Sequence, residues 1–209
     1  MYSQNKEEHF IVNFFKDKPV GNLLDIGAND GITCSNSLRL IELGWQAVLV
    51  EPSPRAFSHL QKTHSGRENI HLFNFAITNS KGEIKLYESG AIRVSKYLQD
   101  NVGLVSTLDK NWTKPWKKTR YQEIMVPCLT FADLLLESPI KKFQFITIDT
   151  EGEDLNILKQ IQLKDVGCEL LCIEYIYPDK IEPITKLCEV QGYKLVGQTK
   201  CNLLFALNA

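Results

Sequence analysis

Leu23-Leu24-Asp25-Ile26-Gly27-Ala28-Asn29-Asp30-Gly31, followed further on by Val48-Leu49-Val50-Glu51-Pro52, decides how this chain folds. Each stretch begins as a short apolar run and ends at a carboxylate. The first then turns through two glycines toward a helix-forming segment over residues 35–43. A short run that is almost wholly apolar belongs to a strand covered by helices on both faces, since a sheet with one wet face alternates apolar and polar residues.

Outward from these two strands the same alternation continues. Apolar residues at Phe10, Ile11, Phe14 and Phe15 predict a leading helix over residues 5–16, stopped by Lys18-Pro19 and Gly21, so that residues 1–18 pack on the core. Strands are expected at 22–26, 46–50, 70–76, 83–88, 143–148 and 169–175, with 123–128 as an edge strand. Helices are expected at 54–63, 131–136, 154–161 and 181–191. The last two strands, 193–196 and 201–207, are separated only by Gly197-Gln198-Thr199-Lys200. That is too short for a parallel crossover, so they form an antiparallel hairpin. The expected fold is α/β: a Rossmann-like, mostly parallel sheet of seven strands with a C-terminal antiparallel hairpin and helices on both faces. At 209 residues and 44% hydrophobic, with no Pro/Gly/Ser-rich linker, the chain is expected to form a single domain over 1–209. Residues 102–122 break the strand–helix rhythm and are read as a segment inserted on the substrate side.

A net charge of -1 gives no global pull toward nucleic acid or an anionic membrane, so neither is expected as a partner. Apolar runs such as Leu134-Leu135-Leu136 and Leu170-Leu171-Cys172-Ile173 fall far short of the roughly 20 residues that span a bilayer. The first residues are polar and acidic, unlike a secretory signal, which makes the expected location cytoplasmic. The six cysteines include no C-x-x-C pair. Cys168 and Cys172 are expected to fill the core from one face of a strand.

The glycine spacing narrows the cofactor. Gly27 and Gly31 stand as G-x-x-x-G, and the G-x-G-x-x-G turn that seats a pyrophosphate is absent. S-adenosylmethionine carries no phosphate, and its loop needs only close backbone approach and polar groups. Asp25, Asn29 and Asp30 are placed for its amino-acid end, and Glu51 at the close of the second strand can accept both ribose hydroxyls. Phe75-Ala76, ending the third strand, would wall the adenine. A nicotinamide oxidoreductase is the competing reading, opposed by the missing third glycine and the final hairpin. A binding module without turnover is another.

Beyond the loop from Asp25 to Gly31, the chain carries Tyr2-Ser3-Gln4 with Glu7-Glu8, Ser35-Asn36, Glu51-Pro52-Ser53-Pro54, Ser106-Thr107-Leu108, Ile148-Asp149-Thr150-Glu151-Gly152-Glu153-Asp154 and Cys172-Ile173-Glu174. In these pieces and their order it resembles the FkbM family of methyltransferases. The resemblance implies an S-adenosylmethionine-dependent O-methyltransferase acting on a hydroxyl of a sugar, glycan or secondary metabolite. It extends the cofactor set to Ala28, Asn36, Pro52, Ser53 and Asp149, and it points to Ser106 and Glu174 on the acceptor side.

A hydroxyl acceptor must lose its proton during transfer, and Asp149 at a strand end or Glu151 just beyond can take it if burial raises its pKa; Asp149 is the first choice. Asp149, Glu151 and Glu174 can alternatively hold a divalent cation through oxygen ligands, a reading not favoured. Glu153 and Asp154 suit the first turn of the following helix. None of the four histidines, His9, His59, His64 and His71, belongs to a motif, and surface positions are expected for all. The segment 110–121 concentrates Lys110, Lys114, Lys117, Lys118 and Arg120 with Trp112, Trp116 and Tyr121. Such a mixture can form a lid over a small-molecule or glycan acceptor, an acidic one included, with Trp112 stacking on a sugar ring.

Overall fold

A computed structural model describes residues 1–18, 20–90 and 103–208. Pro19, Val102 and Ala209, named in the expectations above, lie outside the described residues. In chain order the elements are α1 (Glu7–Phe14), β1 (Asn22–Ile26), α2 (Leu38–Glu42), β2 (Gln46–Val50), α3 (Pro54–Thr63), β3 (Ile70–Phe73), β4 (Ala76–Ile77), β5 (Gly82–Ser89), β6 (Tyr121–Leu129), α4 (Phe131–Glu137), β7 (Phe145–Ile148), α5 (Asp154–Leu158), β8 (Leu170–Glu174), α6 (Ile181–Val190), β9 (Tyr193–Gln198) and β10 (Asn202–Leu207). Short 3₁₀ turns occupy Lys110–Trp116 and Pro178–Lys180.

The main sheet has seven strands in the order β3-β2-β1-β7-β8-β10-β9. The run from β3 to β8 is parallel, and β10 and β9 close it as an antiparallel hairpin. Burial on both faces is visible residue by residue. In β2, Ala47 and Leu49 join one core cluster while Val48 and Val50 join the other, and in β8 Leu170 and Cys172 oppose Leu171 and Ile173. Residues of α1, α2 and α3 pack in the first cluster and residues of α4, α5 and α6 in the second, so helices cover both faces. Ile11 and Phe15 bring the N-terminal helix onto this core.

Three expectations change. The strand predicted over 70–76 breaks at Asn74, whose side-chain amide donates to the carbonyls of Glu51 and Pro52, and its last residue, Ala76, starts β4 in a different sheet. The strand predicted as an edge at 123–128 is the middle of that second sheet, ordered β4-β6-β5, where β6 pairs with β4 in parallel and with β5 in antiparallel register. Cys168 and Cys172 lie in opposite core clusters. Cys168 precedes the first residue of β8, so the two-residue period of a strand does not carry it to the face of Cys172.

Candidate active site

The C-terminal ends of β1, β2, β7 and β8 open into a cavity of about 480 Å³, whose far wall is built by the second sheet and residues 103–108. Open parallel sheets bind ligands at this edge, where consecutive connections leave in opposite directions. The volume falls in the range of small-molecule sites, roughly 300–1,000 Å³.

At one end of the cavity, Asp25 and Glu51 leave neighbouring parallel strands, with Asp25 paired in register to Leu49. Glu51 accepts from the backbone N–H of Asn29 at 2.9 Å and of Ser53 at 2.8 Å, so the β1 and β2 loops orient its carboxylate. Asp25 accepts from the Ser37 hydroxyl at 2.5 Å. Burial pushes the Asp25 carboxyl up to about 6 and that of Glu51 to about 7, in each case against the opposing pull of its hydrogen bonds. Gly27 has φ +95°, and a Cβ there would stand 1.7 Å from the carbonyl oxygen of Asp149. The glycine is therefore required by the close approach of two protein loops, besides leaving room for a ligand. Asn36 also lines the cavity, with its side-chain amide 3.5 Å from the Thr147 hydroxyl; its buried Oδ1 has no donor among the described residues.

Ala28, Asn29, Pro52, Phe75 and Ala76 also line the cavity, as expected for a cofactor wall. Asp30, Gly31 and Ser53 do not line it. Asp30 accepts from the N–H groups of Ile32 and Thr33 at 2.8 and 2.7 Å and shapes the turn. Gly31 allows the turn to pass against His64 and Leu60, where a Cβ would come within 2.7 Å of both. Ser53 caps α3 by accepting from Ala56 N–H and donates to Glu88 at 2.6 Å, which ties the cofactor strand to the second sheet. His64 is buried rather than on the surface, because the glycine turn packs over it; both ring nitrogens lack partners, and burial holds its pKa down at about 4.

The other end holds Asp149, Glu151 and Glu174, each with a carboxylate oxygen within 4.8 Å of the others. Burial raises the pKa of all three. The Asp149 carboxyl reaches about 7 with help from the charge of Asp154, and the charge of Asp149 raises Glu151 and Glu174 in turn. Glu151 sits at φ +54°, an uncommon backbone conformation for a residue with a Cβ. Asp154 proves to be more than a first-turn acid. It accepts from Thr150 N–H and Oγ1 and from Gly152 N–H, and so holds the loop that carries Glu151.

Ser106 and Glu174 line the cavity, but Trp112 does not. Trp112 is buried behind the loop, with its indole N–H donating to Glu151 Oε2 at 3.0 Å and its ring over Gly152. Trp116, the other tryptophan of the expected lid, reaches the cavity instead; Gln4, Thr33, Cys34, Thr147 and Cys201 line it too, and no role there was expected of them. The Gln4 side chain was findable only through its place in the Tyr2-Ser3-Gln4 piece. Thr147 was findable from strand parity, two residues before Asp149. No Lys, Arg or His is among the described residues that line the cavity, so the basic side chains of 110–120 stay outside it.

Residues 25–195 match the methyltransferase FkbM domain. A 2-O-methyltransferase, NoeI of Sinorhizobium fredii, is 27% identical over 145 residues, which are 68% of this chain and 58% of that protein. Among solved structures, the human methyltransferase 10 domain containing protein superposes with a TM-score of 0.53 at 14% identity, over 97% of this chain and 81% of that one. A precorrin-6y C5,15-methyltransferase from Geobacter metallireducens gives 0.54 at 10% identity, over 99% and 93%. These last likenesses bear on the fold alone, which is that of Rossmann-like methyltransferases. The family match covers both carboxylate ends of the cavity, and the chain belongs to the FkbM methyltransferase domain family.

Proposed function

We propose that this chain is an S-adenosylmethionine-dependent O-methyltransferase that acts on a hydroxyl of a sugar, glycan or secondary metabolite. One observation carries the reading: a single cavity joins the strand-end pair Asp25 and Glu51 to the carboxylate cluster of Asp149, Glu151 and Glu174. Bound S-adenosylmethionine supplies a methyl group activated by a sulfonium cation. The acidic lining, free of basic residues among those described, suits that cation, and the orphan Asn36 Oδ1 and the Asp25 carboxylate suit an ammonium group. Glu51 keeps lone pairs for the two ribose hydroxyls beyond those used by Asn29 and Ser53. Phe75 and Ala76 offer the purine an apolar wall.

At the other end the protein's task is to hold an acceptor oxygen in line with the methyl carbon, exclude water and receive one proton. Asp149 is the first choice for the proton, because its raised pKa of about 7 makes it a base at neutral pH that is still basic enough to act. Glu151 and Glu174 can hold the acceptor's hydroxyls, and apolar Val105 and Leu108 with Trp116 line the same cavity. A neutral polyol fits this lining better than an acidic acceptor, since like charges at the transfer point repel. The NoeI likeness supports oxygen as the acceptor atom.

Calorimetry with S-adenosylmethionine and S-adenosylhomocysteine tests the reading. Binding at micromolar ligand is expected, and Glu51→Gln should weaken it ten- to a hundredfold, the worth of charge-assisted hydrogen bonds of about 1.5–3 kcal/mol. A folded protein that takes up neither ligand at millimolar concentration would reject the proposal.

A further inference from the structure

We infer that Trp112 is a positioning residue for Glu151, through which the segment that walls the acceptor end sets the orientation and charge of that carboxylate. The inference rests on the functional reading above for the role of Glu151, but its geometry stands alone. Two hydrogen bonds from one stretch of chain converge on Glu151. The indole N–H of Trp112 donates to Oε2 at 3.0 Å, and the Thr107 hydroxyl donates to the main-chain carbonyl at 2.7 Å. Both partners come from a segment remote in sequence, 39 and 44 positions away. The same stretch supplies Ser106, Leu108 and Trp116 to the cavity wall, so any occupant pressing on that wall bears on the residues that hold Glu151.

The clamp is rigid at its far side. The Trp112 ring lies over Gly152, where an added Cβ would come within 3.3 Å of it, and meets Tyr177 edge-on with centroids 5.2 Å apart. Gly152 at φ +128° and Glu151 at φ +54° form a turn that other residues would strain, and Trp112 packs directly on it. An indole can donate but never accept, so it bonds a carboxylate best when the carboxylate is ionised. Around Glu151 the charged and titratable neighbours are Asp149, Asp154 and Glu174, with the Tyr121 phenol and the Cys34 thiol also feeling its charge. Burial and the charges of Asp149 and Asp154 oppose its ionisation; the Trp112 N–H is the side-chain donor that favours it.

Carboxyl-carbon NMR of protein labelled at glutamate tests the inference on the full chain, with and without S-adenosylhomocysteine. The Glu151 signal is assigned by its loss in Glu151→Gln, and the Trp112 indole signal by its loss in Trp112→Phe. In the wild type, the Glu151 carbon and the Trp112 indole proton should titrate together, with a midpoint above the usual glutamate range. In Trp112→Phe, which keeps an aromatic ring but removes the N–H, the Glu151 midpoint should rise by about one unit, a tenfold loss of ionised form at a given pH. A second variant, Tyr177→Phe, preserves the edge-on ring contact and should leave the midpoint unchanged. An indole signal that does not follow Glu151, or a Glu151 midpoint that Trp112→Phe leaves in place, would overturn the assignment. Should the two groups titrate together in a protein that never binds S-adenosylhomocysteine, the positioning role stands and the functional proposal fails.

Discussion

Glu51, buried, and Glu151, half-buried, are carboxylates of one cavity, yet they are held in different ways. Glu51 takes its two backbone donors from Asn29 and Ser53, residues of the loops that directly follow β1 and β2. Glu151 is held by Thr107 and Trp112, from a segment that enters the cavity after the second sheet has begun. The first arrangement needs only two adjacent strands and their turns. The second needs the whole domain assembled before the carboxylate has a fixed direction. On the proposed reading, cofactor recognition is built into the supersecondary unit, whereas acceptor recognition is built from tertiary contacts, which can vary without disturbing the cofactor loop.

The contact that joins these two halves is the sharpest place to break them. Gly27→Ala puts a methyl group 1.7 Å from the Asp149 carbonyl at a backbone φ of +95°. Neither loop can yield without moving a strand end, so the variant should lose more than about 3 kcal/mol of stability, or fail to fold. Gly66→Ala is the control: its φ is +77°, but a Cβ there meets nothing within 4 Å. It should cost only the left-handed penalty of about 1–2 kcal/mol. Thermal melts of both variants make the comparison, and equal shifts would show that the Gly27–Asp149 approach carries no special strain.

The same difference in range explains what could be read from the sequence. β1, β2 and α3 were legible to the residue, because all-apolar runs, terminal carboxylates, Gly27 and the Ser53-Pro54 cap each answer a local demand of the backbone. The hairpin that closes the main sheet followed from the length of its connection, whereas the order of the other strands has no local signal. The second sheet was not legible. β5 and β6 pair across the whole intervening segment, and an apolar–polar alternation does not say which strand is its partner. Trp112 was recognised as a functional aromatic but given the wrong neighbour, since an exposed stacking ring and a buried ring donating its N–H have the same local sequence. His64 was misplaced for a related reason. It lies just past α3, where nothing local reveals that the Gly31 turn will cover it.

pH should separate the two demands on the cofactor end. The Asp25 and Glu51 carboxyls are raised to about 6 and 7, so the folded protein holds protons there that the unfolded chain has already released. Unliganded stability is then highest below the unfolded pKa values near 4 and falls as pH rises to about 7, by roughly 3 kcal/mol for Glu51 alone. His64 works in the opposite sense. Its folded pKa of about 4 lies below the ordinary imidazole value of 6.5, so it contributes stability above pH 6.5 that is lost as pH falls toward 4. A His64→Leu background removes that contribution. Cofactor affinity should run against unliganded stability, rising between about pH 5.5 and 7 by up to tenfold per pH unit for each carboxylate, as Asp25 ionises to meet an ammonium and Glu51 to accept the ribose hydroxyls. Glu51→Gln should flatten much of this rise, and Trp112→Phe should leave it intact. Affinity that is independent of pH in the wild type would mean that these carboxylates do not change charge on binding.

The smallest of these effects is expected at Thr107, and it bears most directly on how acceptor-side geometry reaches the chemistry. Thr107→Val keeps the shape of a side chain that is 1% exposed but removes the hydroxyl that donates at 2.7 Å to the Glu151 carbonyl and accepts at 3.1 Å from Asp109 N–H. The loss should be about 1–2 kcal/mol, which for a chain of this size lowers the melting midpoint by roughly 2–8 °C. Cofactor affinity should stay within twofold, because no described hydrogen bond links Thr107 to the Asp25 and Glu51 end. Turnover should fall several-fold with little change in cofactor KM, because the φ +54° turn at Glu151 loses the bond to its own carbonyl and keeps only the Trp112 contact and the Asp154 bonds to its neighbours. A Thr107→Ser variant restores the donor and should recover turnover if the hydroxyl is the cause. If Thr107→Val instead weakens cofactor binding as much as Glu51→Gln does, the two ends of the cavity are energetically one unit, and the division between a local cofactor site and an assembled acceptor site does not hold.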